Sequence, residues 1–212
     1  MDKLPTKERI VIEAARLFAT KGYGAVSVDE IAQAVGIKAP SLYKHYKNKQ
    51  EIFDAVLQEM NARYEKNMAG LMLDGRDGKA DAPLFDGMSE DQLVALGRKL
   101  FDFFLHDEYA ADFRKLLTIE QFQDSELAAM YTKQYADDPL SYQGMLFAML
   151  VQAGVLEAWD TQVMALHFYS PIQLLLSICD RHSDREAECV ELLERHIRQF
   201  YRLYRMEACD HE

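Results

Sequence analysis

The sequence predicts an all-α protein: an N-terminal three-helix bundle with a helix-turn-helix, followed by a larger helical body. Three observations predict it. Apolar residues recur at helical spacing through most of the 212 residues. Caps and stops fall at the ends of those runs. No alternating segment of useful length marks a strand, there is no internal repeat, and 10 Gly and 5 Pro are few breakers for such a chain.

The elements follow in order. Thr6 is an expected N-cap, and Ile10, Ala14, Leu17 and Phe18 give the first helix its apolar side. Lys21-Gly22 ends it, with Gly in a left-handed cap. Ser27-Val-Asp-Glu30 is a capping box that opens a short helix with Ile31 and Val35 inward, stopped at Gly36. A third helix is expected over Ala39–Tyr46, with Pro40 in its first turn where a missing N–H does no harm. A fourth spans about Lys49–Met68, carrying Phe53, Leu57, Met60 and Tyr64 on one face. Residues 74–90 hold three Asp-Gly pairs without flanking alternation, so a mobile acidic loop is expected there. Ser89 caps a helix to about His106, and shorter helices follow at 109–121 and 125–136. Pro139 interrupts before a further helix to Gly154. Asp160 caps a long helix in which Pro171 predicts a kink, with Trp159 packed at its start, and Asp184 precedes a last helix to about Met206.

Charge is divided unevenly. The chain carries 24 basic and 35 acidic residues, net −11. Residues 1–50 hold nine basic side chains (Lys3, Lys7, Arg9, Arg16, Lys21, Lys38, Lys44, Lys47 and Lys49) against five acids, so that segment is +4 and the remainder −15. An acidic whole argues against nucleic acid as a partner. A basic end on an acidic body does not, because the body repels phosphate and leaves one end for contact. The alternative is a solvated charged face.

Several classes of chemistry are excluded or unsupported. The three cysteines (Cys179, Cys189, Cys209) lack disulfide-framework or zinc spacing. No GxGxxG, P-loop, GxSxG or HExxH occurs, and Cys179 with His182 is half a metal site at most. No catalytic residue, metal or cofactor is expected. With no apolar signal core and no run of about 18 apolar residues, a soluble, cytoplasmic protein away from membrane is expected.

The two short helices joined at Gly36 make a helix-turn-helix, glued by Ile31, Val35, Ile37 and Leu42, with small Ala32 allowing close crossing. The second would present Ala39, Pro40, Ser41, Lys44 and His45 to a major groove, while Tyr43, Lys47 and Lys49 flank it at phosphate reach.

Residues 10–56, with AARLF, the Gly22-Tyr23 turn, S-V-x-x-I-A, the Val35-Gly36-Ile37 turn and S-L-Y-K-H-Y-K-N-K, resemble the DNA-binding domain of the TetR family of bacterial transcriptional regulators. The resemblance implies a homodimeric, all-α repressor of operator DNA whose body binds a small effector. It divides the chain into a DNA-binding domain, 1–48, and a ligand-binding and dimerisation domain, 49–212. It places base reading on Ala39, Pro40, Ser41 and Lys44, phosphate contact on Ser27, Tyr43, His45 and Lys49, and Lys38 among the DNA-binding residues. Lys38 replaces a usual Ser or Thr cap, and Asp29 stands where some members have a basic contact. Tyr43 as a core residue, and His45 as a helix C-terminal histidine held by the dipole, are the alternatives.

Beyond residue 56 the likeness is architectural, with one local match at Leu166-His-Phe-Tyr-Ser-Pro171. Family architecture makes the last two helices a dimer interface. Phe168, Ile172, Leu175 and Cys179, and Leu193, Ile197, Phe200 and Tyr204, follow i, i+4, i+7, i+11 and would meet a partner's in a four-helix bundle. The alternative is that these faces pack only within the chain. Phe101, Phe104, Phe113, Phe122, Tyr142, Met145, Phe147, Met149, His167 and Phe168 are candidates for an effector pocket, and equally for core. Other classes compatible with the sequence are an activator or corepressor-dependent regulator, and an all-α carrier or enzyme with a vestigial head.

Overall fold

A computed structural model describes residues 4–206; Lys3 and Cys209 lie outside them. The described chain is helical, in the order α1 (Thr6–Lys21), α2 (Val28–Val35), α3 (Ala39–Leu42), α4 (Lys49–Gly70), α5 (Gly78–Asp86), α6 (Glu90–His106), α7 (Glu108–Glu120), α8 (Ser125–Thr132), α9 (Asp138–Gln152), α10 (Thr161–Arg181) and α11 (Glu186–Tyr204). A π-helical turn, Lys133–Asp137, leads into α9, and a 3-10 turn, Ser183–Arg185, into α11. Among the described residues extended pairing is limited to an isolated bridge between Leu156 and Arg205.

Local chemistry explains most boundaries. The Ser27 hydroxyl accepts from the Glu30 amide, and the Glu30 carboxylate accepts from the Ser27 amide, completing the expected capping box. Ser89 and Gln92 make the same exchange before α6. Asp160 accepts from the amides of Gln162 and Val163, as expected. Thr6 does not cap: α1 begins on it, after Pro5, without a side-chain cap. Gly22 has the positive φ, +84°, but an extended ψ of 155°, so the chain leaves α1 stretched rather than in a left-handed turn. Helix α3 is shorter than expected. After Leu42 the amides of Lys44 and His45 bond three residues back, to Ser41 and Leu42, and the chain tightens into a 3-10-like turn.

The chain falls into two compact units. One comprises the chain up to Lys66 with His106–Tyr131; the other comprises Asn67–Leu105 with the chain from Thr132. Compactness therefore divides it elsewhere than residue 48, because α7 packs on α1 within the first unit. An aromatic row ties that unit together: Phe18 to Phe53 (6.1 Å between centroids), Tyr23 to Phe53 (5.0 Å) and Phe53 to Phe113 (6.5 Å). Arg63 of α4 bonds Asp107, the α7 N-cap, at 3.1 Å and lies over the Tyr109 ring at 4.1 Å.

In the second unit α9 packs against α5 and α10, and α10 against α11. The acidic loop expected at 74–90 is instead built around a helix. Asp77 caps α5 through the amides of Lys79 and Ala80. Asp81 is buried, accepting from the amides of Asp74 (2.7 Å) and Gly75 (2.9 Å) and the Tyr142 hydroxyl (2.8 Å). The carboxylates that read as a solvated loop are used as cap and anchor. Trp159, expected to pack at the start of α10, is 65 % exposed. Pro171 lies within a helix that runs unbroken to Arg181. Among the described residues α10 is long and apolar enough to cross a membrane, with a mean hydropathy of 1.3; its Met164, Ala165, Leu175, Leu176 and Cys179 are core.

At Gly78 the backbones of α5 and α9 approach closely. A Cβ there would lie 2.4 Å from the Tyr142 carbonyl and 2.6 Å from the Leu146 amide, both backbone. Gly78→Ala is expected to destabilise by about 1–3 kcal/mol, the usual range for overpacking, read as a lower urea midpoint with unchanged slope.

Candidate nucleic-acid interface

The buried side of the helix-turn-helix is set by Ile31, Ala32, Val35, Leu42 and Tyr46. The Ile37 amide bonds the Ala32 carbonyl at 2.9 Å, and Gly36 adopts the left-handed turn at φ +75° that lets α3 cross α2. Arg9 donates to the Val35 carbonyl, so α1 holds the C-terminal end of α2. Burial of this side turns the other one outward. Lys38, Pro40, Tyr43, Lys44 and His45 are exposed, and Ala39 and Ser41 half-buried. Tyr43 is 52 % exposed, which removes the core alternative; the buried tyrosine is Tyr46. Ser27 is exposed at the start of α2, its hydroxyl engaged by Glu30.

The positive charge of the first fifty residues is not spread evenly over this face. Lys21 pairs with Glu30 (2.9 Å), Arg16 with Glu108 (3.0 Å), and Lys47 sits 3.7 Å from Glu51. Lys38 and Lys44 make no ion pair with a described residue, so free charge lies at either end of α3. Among the expected phosphate contacts Lys49 departs: it is half-buried and its ammonium donates to the carbonyls of Tyr23 and Val26. Sequence reasoning missed this arrangement, and Gly22-Tyr23 was the visible signal.

The expected pocket residues are distributed over both units. Phe113 and Phe122 belong to the first unit, one buried and the other 89 % exposed at the end of α7. The remaining pocket candidates lie in the second unit. Phe101 and Phe147 are core, Phe104, Met149 and His167 half-buried, and Met145 exposed. Tyr142 bonds Asp81, and Phe168 is walled by Phe147, Phe200 and His196 at 4.8–5.9 Å. The residues of the expected dimer face pack within the chain. Leu175, Cys179, Leu193, Ile197, Phe200 and Tyr204 are buried in the chain's own core, with Ile172 and Phe168 packed against it. Periodicity located the apolar stripes, and the chain itself covers them. The outer faces of α10 and α11 carry Val163, Leu166 and Leu174, and Leu192 and Leu203.

Residues 10–56 match the family model described as bacterial regulatory proteins, tetR family. The chain is 33 % identical over 109 residues to the HTH-type transcriptional activator FasR of Mycolicibacterium smegmatis, covering 50 % of this chain and 45 % of that protein. It is 47 % identical over 47 residues to the negative regulator IcaR of Staphylococcus epidermidis, covering 22 % and 25 %. These matches thus span less than half the length of the curated relatives. The fold superimposes on the SmeT–triclosan complex, SmeT being a repressor of a Stenotrophomonas maltophilia efflux pump, with a TM-score of 0.64 at 19 % identity over 96 % of this chain and 93 % of the other. At that identity the likeness is one of fold.

The capping box has a pH signature. The Ser27 amide, the Lys21 ammonium and the Ser27 hydroxyl hold the Glu30 carboxyl down from 4.5 to about 2. A depressed folded-state value adds stability above pH 4.5 that is lost as pH falls through about 2. Ser27→Ala is therefore expected to lower the thermal midpoint at neutral pH, with the gap to the unsubstituted protein closing between pH 4.5 and 2 in calorimetric scans. A gap independent of pH would contradict the box.

Proposed function

We propose that the chain is a regulator of the TetR type, a homodimeric repressor of operator DNA released by a small apolar or amphipathic molecule; the match of residues 10–56 to the family model supports this reading. The carrying observation is α3: a short helix held on a buried base, outward-facing, with lysines at its ends that make no ion pair with a described residue. Its dimensions suit a major groove, and two such helices would occupy half-sites about 34 Å apart or a multiple of it. Ala39 and Pro40 offer no side-chain donor, which leaves Ser41 and Lys44 to read base edges. Ala39 suits a thymine methyl, and Lys44 a guanine. Tyr43, His45, Lys38 and the exposed rim of Ser27 would meet phosphates.

Dimerisation is assigned to the outer faces of α10 and α11. Val163 and Leu174 are eleven residues apart, as are Leu192 and Leu203, which is about three helical turns on each helix. Four such helices from two chains form a bundle. The effector would enter the second unit, among the half-buried Phe104, Tyr142, Met149, His167 and Phe168. It releases DNA only if it favours a head spacing that misfits the operator. Helix α4, which runs from the first unit into the second, is the transmitting element. The activator reading has its own support, since a relative matched over 109 residues is named an activator; whether the effector weakens or tightens DNA binding decides between the two.

Mobility-shift titration tests the DNA assignment. Lys44→Ala is expected to cost about 1–3 kcal/mol on the operator and to relax preference at one base. Equal loss on random duplex would make Lys44 a phosphate contact. Leu174→Glu is expected to yield a monomer in sedimentation and to weaken operator binding; an intact dimer would move the interface elsewhere.

A further inference from the structure

Lys49 stands at the first turn of α4, where the family resemblance places a phosphate contact. Its surroundings point to another task. The ammonium lies 2.8 Å from the Tyr23 carbonyl, 3.0 Å from the Val26 carbonyl and 4.3 Å from the centroid of the Tyr23 ring. An ammonium has three donors; two are taken by carbonyls and the aromatic face covers the group. The ring that covers it is fixed in turn. The Tyr23 hydroxyl donates to Gln50 at 3.0 Å, one residue after Lys49, and the ring packs on Phe18 and Phe53 at 5.3 and 5.0 Å. Lys49 thus grips both ends of the segment from Tyr23 to Val26, and Val26 immediately precedes Ser27, the α2 N-cap. From the other side the α7 carboxylate of Glu120 lies against Gly22, its oxygen 2.4 Å from where a Cβ would stand.

We infer that Lys49 is a positioning residue: it locks the α1–α2 turn onto the start of α4 and so fixes the aim of α2 and α3, without touching DNA phosphate. This rests on the DNA-binding reading above. Reaching a phosphate would strip two carbonyls of their donor, and hydrogen bonds to a charged group are among the stronger ones. Lys38 and Lys44 are exposed and make no ion pair with a described residue.

Two measurements on the full-length protein test the inference. The first needs no DNA: acetylation by a limiting reagent, mapped by mass spectrometry. Lys49 is expected to react about tenfold or more slowly than Lys44, the factor that a charged hydrogen bond supports. Equal rates overturn the latch. The second compares Lys49→Met, Tyr23→Leu and the double variant on the tightest duplex from a random-sequence selection and on a shuffled duplex of equal length. The expected result for each single variant is a loss of about tenfold or more on the selected duplex, little loss on the shuffled one, and an unchanged slope of log affinity against log salt. The double variant is expected to lose no more than the worse single one. A slope shallower by about 0.9, with equal loss on both duplexes, identifies a phosphate contact and overturns the inference. So does unchanged affinity with a smaller active fraction in stoichiometric titration, which means loss of folded protein alone. If the unsubstituted protein selects no duplex while Lys49 stays protected, the latch stands and the DNA-binding reading falls.

Discussion

The helix-turn-helix depends on cations that are bound to backbone carbonyls. Arg9 takes the Val35 carbonyl at the end of α2, and Lys49 takes those of Tyr23 and Val26 before its start. All three carbonyls lie where a helix or turn leaves acceptors unmatched, so the cations satisfy them and tie α1 and α4 to α2. The same ties remove positive charge from the general surface. With Lys21 and Arg16 held by Glu30 and Glu108, the lysines at the ends of α3 are left to define the field of that face. A modest surplus of charge in fifty residues becomes a local one through hydrogen bonding, not through composition.

The helix-turn-helix was legible because its signals are local and chemically distinctive. Ser27 with Glu30, Gly36, and the inward Ile31, Val35 and Leu42 each have one good structural use. Helix α5 was not legible. Asp77 and Asp81 have the composition of a loop, and nothing in their spacing shows that one caps a helix while the other is buried against Tyr142, sixty-one residues on. The stripes on α10 and α11 have helical period, and the chain's own core packs against them. Leu193, Ile197 and Phe200 would look the same facing a partner as facing α10, because periodicity reports a covered side and not its cover. Aromatic residues posed the same ambiguity. Phe113 and Phe122, nine residues apart, are equal as letters, yet one is core and the other stands in solvent.

Helix α7 gives the first unit its extent. Arg16 and Glu108, Phe53 and Phe113, Arg63 and Asp107, and Gly22 and Glu120 each join a segment within residues 1–66 to one within 106–131. A reading head drawn at residue 48 by sequence likeness is thus part of a larger compact body. A substitution in α7, far along the chain from α3, acts on the same packed unit.

The exposure of Trp159 has a practical consequence. It is the only tryptophan in the chain, and it stands four residues before Val163 on the outward side of α10. An indole in water emits at long wavelength and is open to quenchers, so the chain carries a built-in fluorophore whose emission reports on that end of the helix alone. Anything settling over it would register as a blue shift without a label being attached.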